Sequence, residues 1–115
     1  MNSLSTIDPR TRNSVTQFLA RISGEYPVAE AWLYGSRARG DAGAESDADL
    51  AVILDGPRGK TSAVAVEMAA AEFDVMIETG ILVSAFPIWI DDWNNPALHA
   101  NPYLIANIKR EGIAL

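Results

Sequence analysis

Two acids two residues apart, Asp47 and Asp49, stand ten residues after the pair Gly35-Ser36, and both halves of this stretch abut apolar runs, Ala31-Trp32-Leu33-Tyr34 before and Leu50-Ala51-Val52-Ile53-Leu54 after. In an extended strand residues i and i+2 point to one face. The spacing therefore sets two carboxylates side by side at a strand start, where each like charge raises the other's pKa. A divalent cation between them removes the conflict, because Mg²⁺ takes a few carboxylate oxygens and completes its octahedron with phosphate and water. The Gly-Ser half supplies the phosphate side. Gly35 tolerates unusual backbone angles and lets a ligand come close to the main chain, and the Ser36 hydroxyl with the N–H groups of a short following helix can donate to phosphate oxygens. Arg37 and Arg39 either add positive charge there or form a solvated hairpin rim. The pattern predicts a site for a nucleoside triphosphate with Mg²⁺.

The elements that must position these residues are readable in order. Asp8 is an N-cap with Pro9 at the first helical position, and Val15, Phe18, Leu19 and Ile22 follow as one apolar stripe, predicting a helix from Pro9 to Ser23 with Gly24 as its stop. A first strand, Val28 to Tyr34, delivers the chain to Gly35. After the second strand Asp55-Gly56-Pro57 is turn chemistry. Arg58-Gly59-Lys60-Thr61 invites comparison with a Walker A loop, but position 54 is Leu where that motif needs Gly, so the stretch reads as a surface loop with a basic tip. Thr61 or Ser62 caps a long helix ending at Gly80, with Val66, Ala70, Phe73 and Ile77 as its buried stripe, Ala69 and Met76 beside them, and Glu67, Asp74 and Glu78 on the flank. Ile81 to Ile90 is a third strand, apolar on both faces and broken at Pro87, which suits a strand that leaves the sheet at an edge. Asp91 to Pro96 reads as a loop, and Asn101-Pro102 caps a last helix through Lys109 that stops at Gly112. His99, the single histidine, lies in this tail, far in sequence from the acids, and reads as structural.

Composition excludes several classes. Residues 1–115 are read as one domain with room for a core but not for a separate substrate domain. No apolar run approaches the ~20 residues of a membrane span, and the start Met1-Asn2-Ser3-Leu4 lacks the pattern of a signal peptide. The chain contains no cysteine, so it has neither disulfides nor thiolate metal ligands, and a cytoplasmic protein is the expectation. Nine Lys and Arg against fifteen Asp and Glu give a net charge of −6, and binding of DNA or RNA, which rests on neutralising phosphates, is not expected.

Gly35-Ser36, the ten-residue gap and Asp47-Ala48-Asp49 before an apolar strand resemble the signature of the minimal nucleotidyltransferase domains of the DNA polymerase beta-like superfamily. The C-terminal third, Ile81 to Ile90 and Asn101-Pro102 to Leu115 with Asn107-Ile108-Lys109-Arg110-Glu111-Gly112, resembles the ends of such stand-alone domains. The resemblance implies an α/β (α+β) fold, a small mixed β-sheet with helices packed against it and the site at the edge between strands 1 and 2. It implies Asp47 and Asp49 as catalytic residues and Mg²⁺ ligands, and Gly35, Ser36, Arg37 and Arg39 as residues holding ATP. Such domains commonly place a third carboxylate on the third strand. Here that strand has no acid and Ser84 is its only polar residue; Asp74 mimics the missing acid, but its helical register groups it with Glu67 and Glu78 on a polar flank.

Stand-alone domains of this kind resemble the antitoxin half of HEPN/MNT modules, which transfers AMP from ATP to a tyrosine of a HEPN ribonuclease toxin. That is the leading expectation. An inactive antitoxin that neutralises its partner by binding, and an adenylyltransferase for a small molecule such as an aminoglycoside, are the alternatives. Trp89, Trp93 and Tyr103 crowd into the tail and are expected either to meet a helical partner or a second copy of the chain, or to close the core.

Overall fold

Asp8 starts the first helix as its chemistry requires: its carboxylate accepts from the Thr11 backbone N–H (2.9 Å) and from the Thr11 hydroxyl (2.6 Å), and helix α1 runs Pro9–Ile22. The computed structural model describes residues 7–56, 59 and 61–115. The basic tip at Arg58 and Lys60 and the amino-terminal residues 1–6 lie outside the described residues, as do the side chains of Thr61 and Ser62, the expected cap. Strand β1 is Val28–Tyr34, followed by one turn of helix, α2 (Ser36–Arg39), and strand β2 (Ala48–Leu54). Helix α3 (Thr61–Thr79) stops at Gly80, and β3 is Val83–Trp89.

Beyond β3 the chain is more ordered than its sequence suggests. The expected loop after Ile90 is helix α4 (Ile90–Asn94), with Asp92 and Trp93 buried, followed by a 3₁₀ turn at Pro96–Leu98. Asn101 caps α5 (Pro102–Glu111) by accepting from Leu104 N–H at 3.2 Å. A short strand β4 (Ile113–Ala114), not foreseen, then pairs with β1 through Trp32 and Leu33.

The four strands form one mixed sheet in the order β3-β2-β1-β4. β1 and β2 are antiparallel, while β2 and β3 are parallel, joined by the α3 crossover. Pro87 falls on the edge strand, where a missing N–H costs least. Alternation along β2 separates two cores. Ala48, Leu50, Val52 and Leu54 face Val15, Phe18, Met68 and Val75, whereas Ala51 and Ile53 face Trp93, Ile105 and Ile108.

The α3 register is the main correction. Its expected buried stripe is exposed, Val66 at 75%, Phe73 at 55% and Ile77 at 68%, and Ala70 is exposed with them; Met68 and Val75 are the residues that enter the core. The helix carries apolar residues on both faces, so periodicity alone cannot choose the inward one. The acids on its flank are at the surface as expected, with Arg21 of α1 paired to Asp74 (3.7 Å) and Glu78 (2.6 Å), and Tyr26 donating to Glu67.

Candidate active site

The end of β1 and the starts of β2 and β3 meet at one end of the sheet, because β1 runs opposite to the other two. There Asp49 pairs across the ladder with Tyr34 on one side and Ser84 on the other. Every other residue of β2 is buried; Asp49 alone is half-exposed. By alternation it faces the side of Ala51 and Ile53, toward the C-terminal helices.

Gly35 explains how the Gly-Ser turn and the acid pair become one site. Its φ of 74° and ψ of −159° belong to a region that only glycine adopts readily, and a Cβ built there would collide with the Asp49 carboxylate. The Gly35 carbonyl accepts from Ala38 and Arg39 N–H at 3.1 Å each, which winds α2, and Gly40 at φ 84° ends it. Ser36 heads this turn, half-buried and next to the Asp49 carboxylate's seat against Gly35.

The charges near Asp49 act on it unequally. Burial pushes the Asp49 carboxyl above its ordinary pKa, and the Asp47 charge pushes in the same direction, with Arg39 partly opposing both. Asp47 itself is exposed and stands just before β2 rather than within it. Tyr34 is raised to about 12 by burial and by the Asp49 charge, so its hydroxyl stays protonated at neutral pH.

The two arginines have different fates. Arg39 is exposed, with ion pairs to Asp41 at 3.3 Å and to Glu111 at 3.8 Å, and its charge reaches Asp49. Arg37 does not match the expectation of a phosphate ligand. It is 7% exposed, and its guanidinium donates to the carbonyls of Ser46 (2.8 Å), Ala44 (3.2 Å) and Gly43 (3.4 Å) and to the Thr11 hydroxyl (2.9 Å). With Asp8 at 3.7 Å besides, its donors are spent on holding the 40–47 loop to α1. The signal was the short loop itself, whose inward carbonyls need a buried donor.

Strand β3 carries no acid, and its Ser84 pairs with Asp49 across the ladder. Asp74 and Glu78 are held by Arg21 and supply none either. Among the described residues no three His, Cys, Asp or Glu side chains stand together as a metal-binding group. One acid that the sequence reading passed over is Glu72: its carboxylate accepts from Ala85 N–H at 3.1 Å, and its pKa is raised by burial and by the Asp47 charge. Its helical offset from the exposed stripe was the available clue. His99 plays a structural part, its Nδ1 accepting from Asn101 N–H at 2.9 Å beside the Phe86 ring.

The chain is similar to known proteins in two respects. The profile of the family described as nucleotidyltransferase domain matches residues 15–115. The fold is similar to the crystal structure of a candidate nucleotidyltransferase from Sulfolobus solfataricus, with a TM-score of 0.51 and 20% identity over 75% of this chain and 73% of that one. No curated protein matches the sequence. Among the described residues no helix is long and apolar enough to cross a membrane.

Proposed function

Because this chain belongs to the nucleotidyltransferase domain family, we propose that it transfers AMP from ATP to a tyrosine of a HEPN-type ribonuclease toxin and thereby silences it. The observation that carries the reading is the seat of Asp49, a lone acid in a buried strand pressed against the main chain of Gly35. On this reading the carboxylate that holds the metal and the turn that binds phosphate lie at one point of the sheet. The donor set suits Mg²⁺: Asp47 and Asp49 offer hard carboxylate oxygens, and the burial and like charge that disfavour an ionised Asp49 are both offset by a cation. Asp47 and Asp49 would hold the Mg²⁺, and the ion would supply charge neutralisation at the phosphates.

Around it, Ser36 donates to the triphosphate and Arg39 adds positive charge. The acceptor's phenolic oxygen forms a bond to the α-phosphorus, the bond to the β-phosphate oxygen breaks, pyrophosphate leaves and the phenolic proton passes to solvent. Catalysis of this kind is mainly positioning and charge neutralisation. A second reading, an antitoxin that acts by binding alone, is favoured by the absence of an acid from β3.

Co-expression with the product of the adjacent gene, followed by intact-mass measurement with ATP and Mg²⁺, tests both. An AMP-sized gain on a partner tyrosine, lost in Asp47→Asn/Asp49→Asn, is the expected result. Complex formation without a mass gain supports the binding antitoxin. No association sinks both and leaves a small-molecule acceptor such as an aminoglycoside to be assayed.

A further inference from the structure

Helix α3 is covered on one side only, although its sequence is built for cover on two. Met68 and Val75 sink into the sheet, while Val66, Ala70, Phe73 and Ile77 stand in water on the opposite side, about 140–220° round the helix at 100° per residue. Their spacing is 4-3-4, the seam that a second helix packs against knob into hole. The row is about 16 Å long, three turns of helix. Exposed apolar residues scattered singly need no explanation, but an aligned row does.

The charge beside the row decides what kind of helix fits. Along one edge lie Glu67, Asp74 and Glu78, and a groove of about 310 Å³ between α1 and α3 adds Glu25, with Arg21 the single cation among these groups. The other edge is Ala65, Ala69 and Met76. A second copy is a poor occupant. An antiparallel twofold pairing sets acidic edge against acidic edge, and a parallel one sets the acids against alanine and methionine, so neither adds a cation to the one that Arg21 supplies for Asp74 and Glu78.

We propose that the outward face of α3 is the docking surface for an amphipathic helix of a different protein, apolar at 4-3-4 spacing and lined with Lys or Arg along the edge that meets Glu67 and Asp74. The chain's net charge of −6 favours the encounter with such a partner. The topology gives the surface a use. In the β2-α3-β3 crossover α3 runs back toward the end where β2 and β3 begin, so its Ile77 end points to the same end of the sheet as Asp49. A helix seated there brings its own protein to the nucleotide site. This rests on the proposed function only for the partner's identity.

Three measurements decide it, all using Phe73→Ser/Ile77→Ser, which alters two exposed residues and should keep the wild-type circular dichroism spectrum. Sedimentation of the protein alone should give a monomer; a dimer lost in the double variant assigns the face to a second copy and overturns the proposal. Two synthetic helical peptides with the same leucine row, one edged with lysine and one with glutamate, are then titrated by fluorescence anisotropy. The lysine peptide should bind at least about tenfold more tightly, and the double variant should lose at least about tenfold. Equal binding of the two peptides, no binding, or binding untouched by the double variant overturns it. Finally, the adjacent-gene product should lose its complex with the double variant. A complex that survives overturns the surface and spares the partner, whereas lysine-peptide binding without any complex upholds the surface and removes the partner.

Discussion

At the scale of single residues, the site is a compromise between stability and charge. Gly35→Ala places a Cβ in the space of the Asp49 carboxylate and forces a backbone region that costs about 1–3 kcal/mol outside glycine. Urea denaturation should show that loss, and calorimetry should show ATP affinity falling with it. Asp49 makes the opposite trade. Its folded pKa lies above the ordinary 3.8, so the folded protein holds this proton more tightly than the unfolded chain does. Stability from this group therefore falls as pH rises through the interval from 3.8 to the raised folded value, and the full cost is present at neutral pH. Asp49→Asn should then stabilise the nucleotide-free protein at about pH 7, with the gain shrinking toward about pH 4, while Mg²⁺-dependent ATP binding disappears. A variant less stable than wild type at neutral pH contradicts this account of Asp49.

At the scale of elements, α3 shows what a helix's apolar faces do and do not say. Met68 is 1% exposed among the residues of the larger core, and Met68→Ala should cost about 2–5 kcal/mol in urea denaturation. Val66→Ser, at a position 75% exposed, should stay within about 0.5 kcal/mol. The reverse order of effects would restore the register that periodicity suggests and remove the docking face with it. Helix α2 has only one turn, and its place is fixed less by propensity than by Arg37, which ties the following loop to α1.

At the scale of the whole molecule, the C-terminal quarter is a second layer rather than a tail. Trp93 is 4% exposed, its ring 5.4 Å from that of Trp32, with the Lys109 ammonium 4.7 Å above it and donating to the Trp93 carbonyl. Gly112 then lets the chain pass close under β1, where a Cβ would stand 3.1 Å from the Leu33 carbonyl oxygen, and β4 closes the sheet's other edge. Of the three tail aromatics, Trp93 is thus core, Trp89 packs against the larger core and Tyr103 is 82% exposed. Trp93→Ala should cost about 3–5 kcal/mol and broaden or abolish the folded state. Tyr103→Ala should leave the urea midpoint unchanged, and a large shift there would show a packing role that its exposure denies.

What the sequence determined by itself is local. Asp8-Pro9 and Asn101-Pro102 start helices through their own side chains and fixed φ, Gly80 ends one at φ 79°, and β1 has the bounds Val28–Tyr34 that its composition implies. Gly35, Ser36 and the acid pair could be singled out because their chemistry depends on residue type and on a short, countable gap. What tertiary structure decided is which of two equivalent choices each ambiguous element makes. Periodicity marks two apolar faces on α3 and only the sheet selects Met68 and Val75. Arginine is a donor to any acceptor, and only the folded 40–47 loop presents the carbonyls that claim Arg37 while leaving Arg39 beside Asp49. The burial of Trp93 and the existence of β4 depend on partners some sixty to eighty residues away in the chain, on Trp32 and Leu33, and no local pattern encodes a contact of that range.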